Sequence, residues 1–189
     1  MKEWIKWLIP AALAIALVIG VGVASHEDPI IPNKPTPTHG TEPTQTEAPP
    51  QPAPNFTVLD QDGNPVQLSD YFGKPIVLNF WATWCQYCTQ EMPEFQAAYE
   101  KYPDVQFLMV NATDGVRETK ETASAYIAES GYRFPVFYDV DTAAVTAYGI
   151  TSFPTTFFID KEGNLTAYAN SALTQEKLEK GISMIRSGA

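Results

Sequence analysis

The stretch PIVLNFWATWCQYC, residues 75–88, decides how the rest of the chain is read. Its first half, Pro75 to Trp81, is a nearly continuous apolar run, the pattern of a strand buried on both faces. Its second half holds the only two cysteines, Cys85 and Cys88. From Gln86 to Lys101 a polar-apolar pattern predicts a helix, bent or interrupted at Pro93. A central strand therefore hands over to a helix at the cysteine pair.

Residues three apart at a helix start share one face and can bond reversibly. Cys85, in the first turn, faces unpaired backbone amides and the positive end of the helix dipole, which favour its thiolate and make it the nucleophile. Cys88, one turn further in, is better shielded and suits the resolving role. Zinc needs about four protein ligands, or three plus water. The domain has no third cysteine, and His26 and His39 lie in or before the proline-rich stretch, so no metal is expected. A purely structural disulfide is a weaker reading, because closing a loop of two residues constrains the unfolded chain very little.

Outward from this centre, strands and helices alternate. Phe56 to Leu59 and Val66 to Leu68 flank QDGNP, a hairpin signal with Gly63 available for positive φ. Val105 to Val110 reads as strand, Arg117 to Ser130 as a helix ended by Gly131, and Phe134 to Tyr138 as strand. Asp141 to Tyr148 reads as a short helix closed by Gly149. Thr155 to Asp160 and Leu165 to Ala169 flank the turn KEGN, and Gln175 to Arg186 is an amphipathic helix. The alternation predicts an α/β domain with a central mixed sheet flanked by helices.

The N-terminal third has a different composition. Trp7 to Ala24 is unbroken and apolar, with Lys2 and Lys6 before it and acids after it, which predicts a cytoplasmic N-terminus and an exported chain. Residues 1–25 are read as a transmembrane anchor, or as a signal cleaved after Ala24, where Gly22 and Ala24 suit a signal peptidase. Residues 26–54 are read as a Pro/Thr-rich disordered tether, with nine prolines and five threonines between Glu27 and Pro54. Residues 55–189 form the folded domain, with 9 basic against 17 acidic side chains, which excludes nucleic acid as a natural partner.

FWATWCQYC (80–88), EMPEF (91–95) and GITSFPTTFFID (149–160) together resemble the thioredoxin fold. They are more closely similar to the membrane-tethered TlpA-like and ResA-like thiol-disulfide oxidoreductases, over essentially all of residues 55–189. The resemblance implies a thioredoxin-like fold with an N-terminal β-hairpin extension and an inserted helix-strand unit around residues 117–138. It makes Pro154 the cis-proline, setting Phe153 and Pro154 beside Cys85 with the Phe153 backbone free to pair with a substrate strand. It puts Trp81 and Trp84 on the flanks of the site. Glu91 falls in the CxxExP arrangement, where an acid tunes the thiols; its plain reading is a helix-start acid favoured by the dipole. Thioredoxin has a buried Asp where this chain has Asn79, which cannot take up a proton, so nearby acid-base work falls to Glu91 and Asn79 serves structure.

The spacer residues Gln86 and Tyr87 carry no charge, and a histidine that would stabilise the thiolate of a strong oxidant is missing. Together with the resemblance, this implies a reductase of disulfides in exported proteins, for example apocytochrome c, with substrate bound at Trp84, Gln86, Tyr87, Phe153 and Pro154 and substrate choice sought at Tyr87 and Glu91. Electrons would come from a membrane thiol donor of the CcdA/DsbD type, and no organic cofactor is expected beyond the redox-active Cys85–Cys88 pair. The alternatives are a thiol oxidase or isomerase, a peroxiredoxin-like peroxidase, whose PxxxTxxC signature is absent before Cys85, and a binding module with a structural disulfide.

Overall fold

The computed structural model describes residues 51–187. The predicted membrane segment and nearly all of the tether lie outside the described residues. In chain order the strands are β1 Gln51–Pro52, β2 Thr57–Leu59, β3 Pro65–Gln67, β4 Ile76–Trp81, β5 Gln106–Asn111, β6 Val136–Tyr138, β7 Thr155–Ile159 and β8 Asn164–Ala169. The helices are α1 Gln86–Lys101, α2 Lys120–Ser130, α3 Ala143–Ala147 and α4 Gln175–Arg186, and a 3-10 turn covers Leu68–Tyr71.

The strands form one mixed sheet in the order β1-β8-β7-β4-β5-β6-β2-β3. β4 lies between β5, to which it is parallel, and β7, to which it is antiparallel. All six of its residues are buried, as the apolar run predicts for a strand covered on both sides. Side chains alternate across a strand. Val77 and Trp81 therefore join a core with residues of α1, α2 and α4, whereas Ile76, Leu78 and Phe80 join one with Leu68 and Ala144 of α3. Each fully buried side chain of this size contributes roughly 1.5–3 kcal/mol. Asn79 sits on the α1 face of β4, in register with Thr156 of β7.

Several boundaries differ from the sequence reading. The tether ends earlier than residue 54. Gln51 and Pro52 pair with Leu165 and Asn164, and the Ala53 N–H donates to the Gly163 carbonyl at 2.9 Å. Pro52 fits there because β1 is an edge strand, where a missing N–H breaks no inner ladder. Helix α1 runs through Pro93 without interruption, and Pro93 is exposed. The second helix starts at Lys120 instead of Arg117, because Thr119 caps it: the Thr119 side chain accepts from the Thr122 N–H. Gly131, left-handed at φ 71°, closes it as the sequence suggests. Gly63 turns the β2–β3 hairpin at φ 87°.

Candidate active site

The turn from β4 into α1 places both sulfurs. Cys85 is the N-cap of α1, and its Sγ accepts from the Cys88 backbone N–H at 3.2 Å. A sulfur at a helix N-terminus meets unpaired amides, which is the physical basis for a stabilised thiolate. The two cysteines are joined as a disulfide with Cα atoms 5.2 Å apart. Expected to be exposed, Cys85 is in fact 7% accessible, while Cys88 is fully buried. Cys85 keeps slight access to solvent and Cys88 has none, because both residues pack into the core shared by α1, α2 and α4.

One turn beyond Cys88, Glu91 is buried as well. Its Oε1 accepts from Asn79 Nδ2 at 2.9 Å and its Oε2 from the Leu173 backbone N–H at 2.8 Å. Burial outweighs both bonds and pushes the carboxyl up from 4.5 to about 7. The same Asn79 amide donates to Thr156 Oγ1 at 3.0 Å. Asn79 therefore links α1 to β4 and β7 beneath the cysteines, and its Oδ1 has no partner among the described residues.

The turn before Cys85 is bonded to another buried carboxylate, Glu118, which sequence reasoning missed. Glu118 Oε1 accepts from the Thr83 N–H at 3.1 Å and from Asn111 Nδ2 at 2.7 Å, and Oε2 accepts from the Thr83 hydroxyl at 2.6 Å. Thr113 donates in turn to Asn111 Oδ1 at 2.7 Å. The loop before α2 is thereby tied to the turn before Cys85.

The remaining expected site residues divide between rim and interior. Trp84 and Tyr87 are exposed large hydrophobics and Gln86 is exposed. The Phe153–Pro154 bond is cis, and Phe153 meets the Trp84 ring at right angles with centroids 5.7 Å apart. Pro154 is buried just before β7. Trp81 is not on the rim: it is fully buried, tilted against Tyr126 at 5.9 Å. A cavity of about 420 Å³ is lined by Tyr148, Ile150, Phe157 and Tyr168 and reaches Ser152 and Thr155, on either side of the Phe153–Pro154 bond. Tyr148, Ile150 and Phe157 pack against the core that does not contain the sulfurs.

The sequence profile of the AhpC/TSA family matches residues 49–168. Thiol-disulfide oxidoreductase ResA of Bacillus thuringiensis is 35% identical over 135 residues, covering 70% of this chain and 76% of that protein. The ResA of Bacillus subtilis is 33% identical over 138 residues, covering 72% and 75%. The chain belongs to the AhpC/TSA family, among its ResA-like thiol-disulfide oxidoreductases. A crystal structure of a thioredoxin-family thiol:disulfide interchange protein from Chlorobium tepidum agrees in fold, with a TM-score of 0.64 at 25% identity over 74% of this chain and 98% of that one.

For a ResA-like oxidoreductase with one cysteine pair, the redox chemistry has a single location. The fold supplies three things there: an amide-lined N-terminus for the outer sulfur, a dry core around the inner one, and a carboxyl that titrates near neutrality one turn away. Among the described residues, no group of three or more metal-ligating side chains accompanies them. Glu118 gave no signal in the sequence because it stands in a stretch that read as the first turn of a helix, where an acid needs no further explanation.

Proposed function

We propose that this oxidoreductase works as a reductase of disulfides in exported proteins, apocytochrome c being one fitting client. The observation that carries the reading is the asymmetry of the pair: Cys85 alone reaches solvent at a helix N-cap, with Cys88 buried behind it beside a carboxyl that titrates near 7. In the reduced form the Cys85 thiolate attacks one client sulfur, and the other leaves with the electron pair and takes up a proton. Cys88 then gives its proton to the Glu91 carboxylate and attacks Cys85. The client's second sulfur leaves Cys85 with the electron pair and takes up a proton, which restores the Glu91 carboxylate when it comes from Glu91, and the Cys85–Cys88 disulfide forms. The client has gained two electrons and two protons.

Return to the dithiol requires an electron source, for which a membrane thiol donor of the CcdA/DsbD type fits. The charge pattern around residues 7–24 supports an anchored chain with its catalytic domain outside the cytoplasm, or a secreted one if cleavage follows Ala24. Phe153 with Trp84, Gln86 and Tyr87 forms the rim that a client strand meets, and the buried cis Pro154 sets the Phe153 backbone beside it. Replacing the resolving sulfur tests the assignment. Cys88→Ser, reduced and exposed to oxidised exported proteins, is expected to accumulate mixed disulfides through Cys85. Failure to trap any client, with Cys85 titratable and free, overturns the reductase reading in favour of a binding module.

A further inference from the structure

Trp84 precedes the nucleophilic sulfur and is 39% exposed. Phe153 meets it edge-on, and the Arg117 guanidinium lies over its ring, 3.7 Å from the centroid. That distance is close for a cation–π contact. Arg117 is held there by its loop. Asp114 Oδ1 accepts from the backbone N–H groups of Val116, Arg117 and Glu118 at 2.8, 2.7 and 2.9 Å. The Glu118 bonds to Thr83 then lock that loop to the residue before Trp84.

Arg117 differs from the two other arginines of the chain. Arg133 pairs with Glu100 and Arg186 with Asp104, whereas Arg117 is exposed and makes no ion pair among the described residues. Its charge is felt by Asp114, whose carboxyl lies below its ordinary value chiefly through the Glu118 amide. Stacking occupies the flat face of a guanidinium and leaves its N–H edge open, a planar fork that matches a carboxylate. The surrounding domain carries 9 basic and 17 acidic side chains between residues 55 and 189, so this cation opposes the background field at the mouth of the disulfide.

We infer that Arg117 determines client specificity: its guanidinium, seated on Trp84, receives a carboxylate that lies next to the target disulfide in the client polypeptide. Clients with Asp or Glu beside the reacting cysteine are therefore reduced faster than clients with an amide there. The inference rests on the reductase reading above and adds the chemistry by which substrates are chosen.

The test uses the full-length protein in its dithiol form and two short peptides, each closed by one internal disulfide and differing only in Glu or Gln beside the reactive cysteine. Second-order rate constants for peptide reduction are measured for wild type, Arg117→Gln and Arg117→Lys. Dividing the Glu/Gln rate ratio of wild type by that of Arg117→Gln cancels the glutamate's effect on the peptide's own thiols. That quotient is expected to be about five, shrinking in high salt, with Arg117→Lys in between because it keeps the charge and loses the fork. A quotient of one, with both peptides reduced, overturns the inference alone. If wild type reduces neither peptide, the reductase reading itself fails and this inference falls with it.

Discussion

Two buried glutamates, Glu118 bonded to the turn before Cys85 and Glu91 one turn beyond Cys88, are bonded differently. Glu118 receives three donors, two of them from Thr83, and so fixes the turn that presents Cys85. Glu91 receives two, one on each oxygen, in a pocket dry enough to lift its carboxyl to about 7. The number and source of the donors differ: Glu118 ties the loop before α2 to the turn before Cys85, whereas Glu91 joins α1 to β4 and to the Leu173 backbone. Burial alone would not have told them apart, since both are essentially inaccessible.

The largest expected effect comes from removing the structural partner. Glu118→Ala leaves the buried Asn111 amide without its acceptor and frees Thr83, at a cost of about 3 kcal/mol or more in urea unfolding of the oxidised protein. A loss below about 1 kcal/mol would mean that the loop and turn are held by something else.

Glu91 shows its character in pH dependence. Its folded value is raised from 4.5 to about 7, so the folded state holds this proton more tightly than the unfolded chain. The associated stability is fully present below pH 4.5 and is lost as pH rises through 7. The loss amounts to about 3 kcal/mol in total. Glu91→Gln is expected to remove that slope from denaturation curves recorded across the window, and to remove the limb near neutrality from the pH–rate profile of thiol exchange. A variant that keeps both dependences shows that another group carries them.

A smaller change sharpens the contrast from within the network. Because the Asn79 amide holds the Glu91 value down, Asn79→Ala is expected to raise it above 7, observable by carbon NMR titration of the side-chain carboxyl. The accompanying destabilisation is about 1–2 kcal/mol. At the rim, Tyr87 is 65% exposed. Tyr87→Ala should change stability by no more than about 0.5 kcal/mol while altering relative rates among client proteins.

The elements that carry the site were legible because their patterns are local. The apolar run at Pro75 to Trp81, the Gln86 start of α1 and the amphipathic α4 follow directly from periodicity, and α4 spans Gln175–Arg186 as read. What the sequence hid was long-range. Thr83 and Glu118 meet across 35 positions and Glu91 and Leu173 across 82, and neither pairing leaves a periodic trace. Arg117 to Thr119 read as the first turn of the helix because their composition suits one. Three backbone amides turn instead to the Asp114 side chain, a local competition that propensity does not resolve. The two-residue strand at Gln51 was masked by the prolines around it.

The reduction potential of the Cys85/Cys88 couple, equilibrated against glutathione at pH 7, tests the direction of the chemistry most directly. An uncharged spacer and a buried inner sulfur predict a value of about −250 mV or lower, in the range of a dithiol that gives electrons away. A value near about −120 mV, typical of a pair that takes electrons from its clients, would contradict the assignment as a reductase.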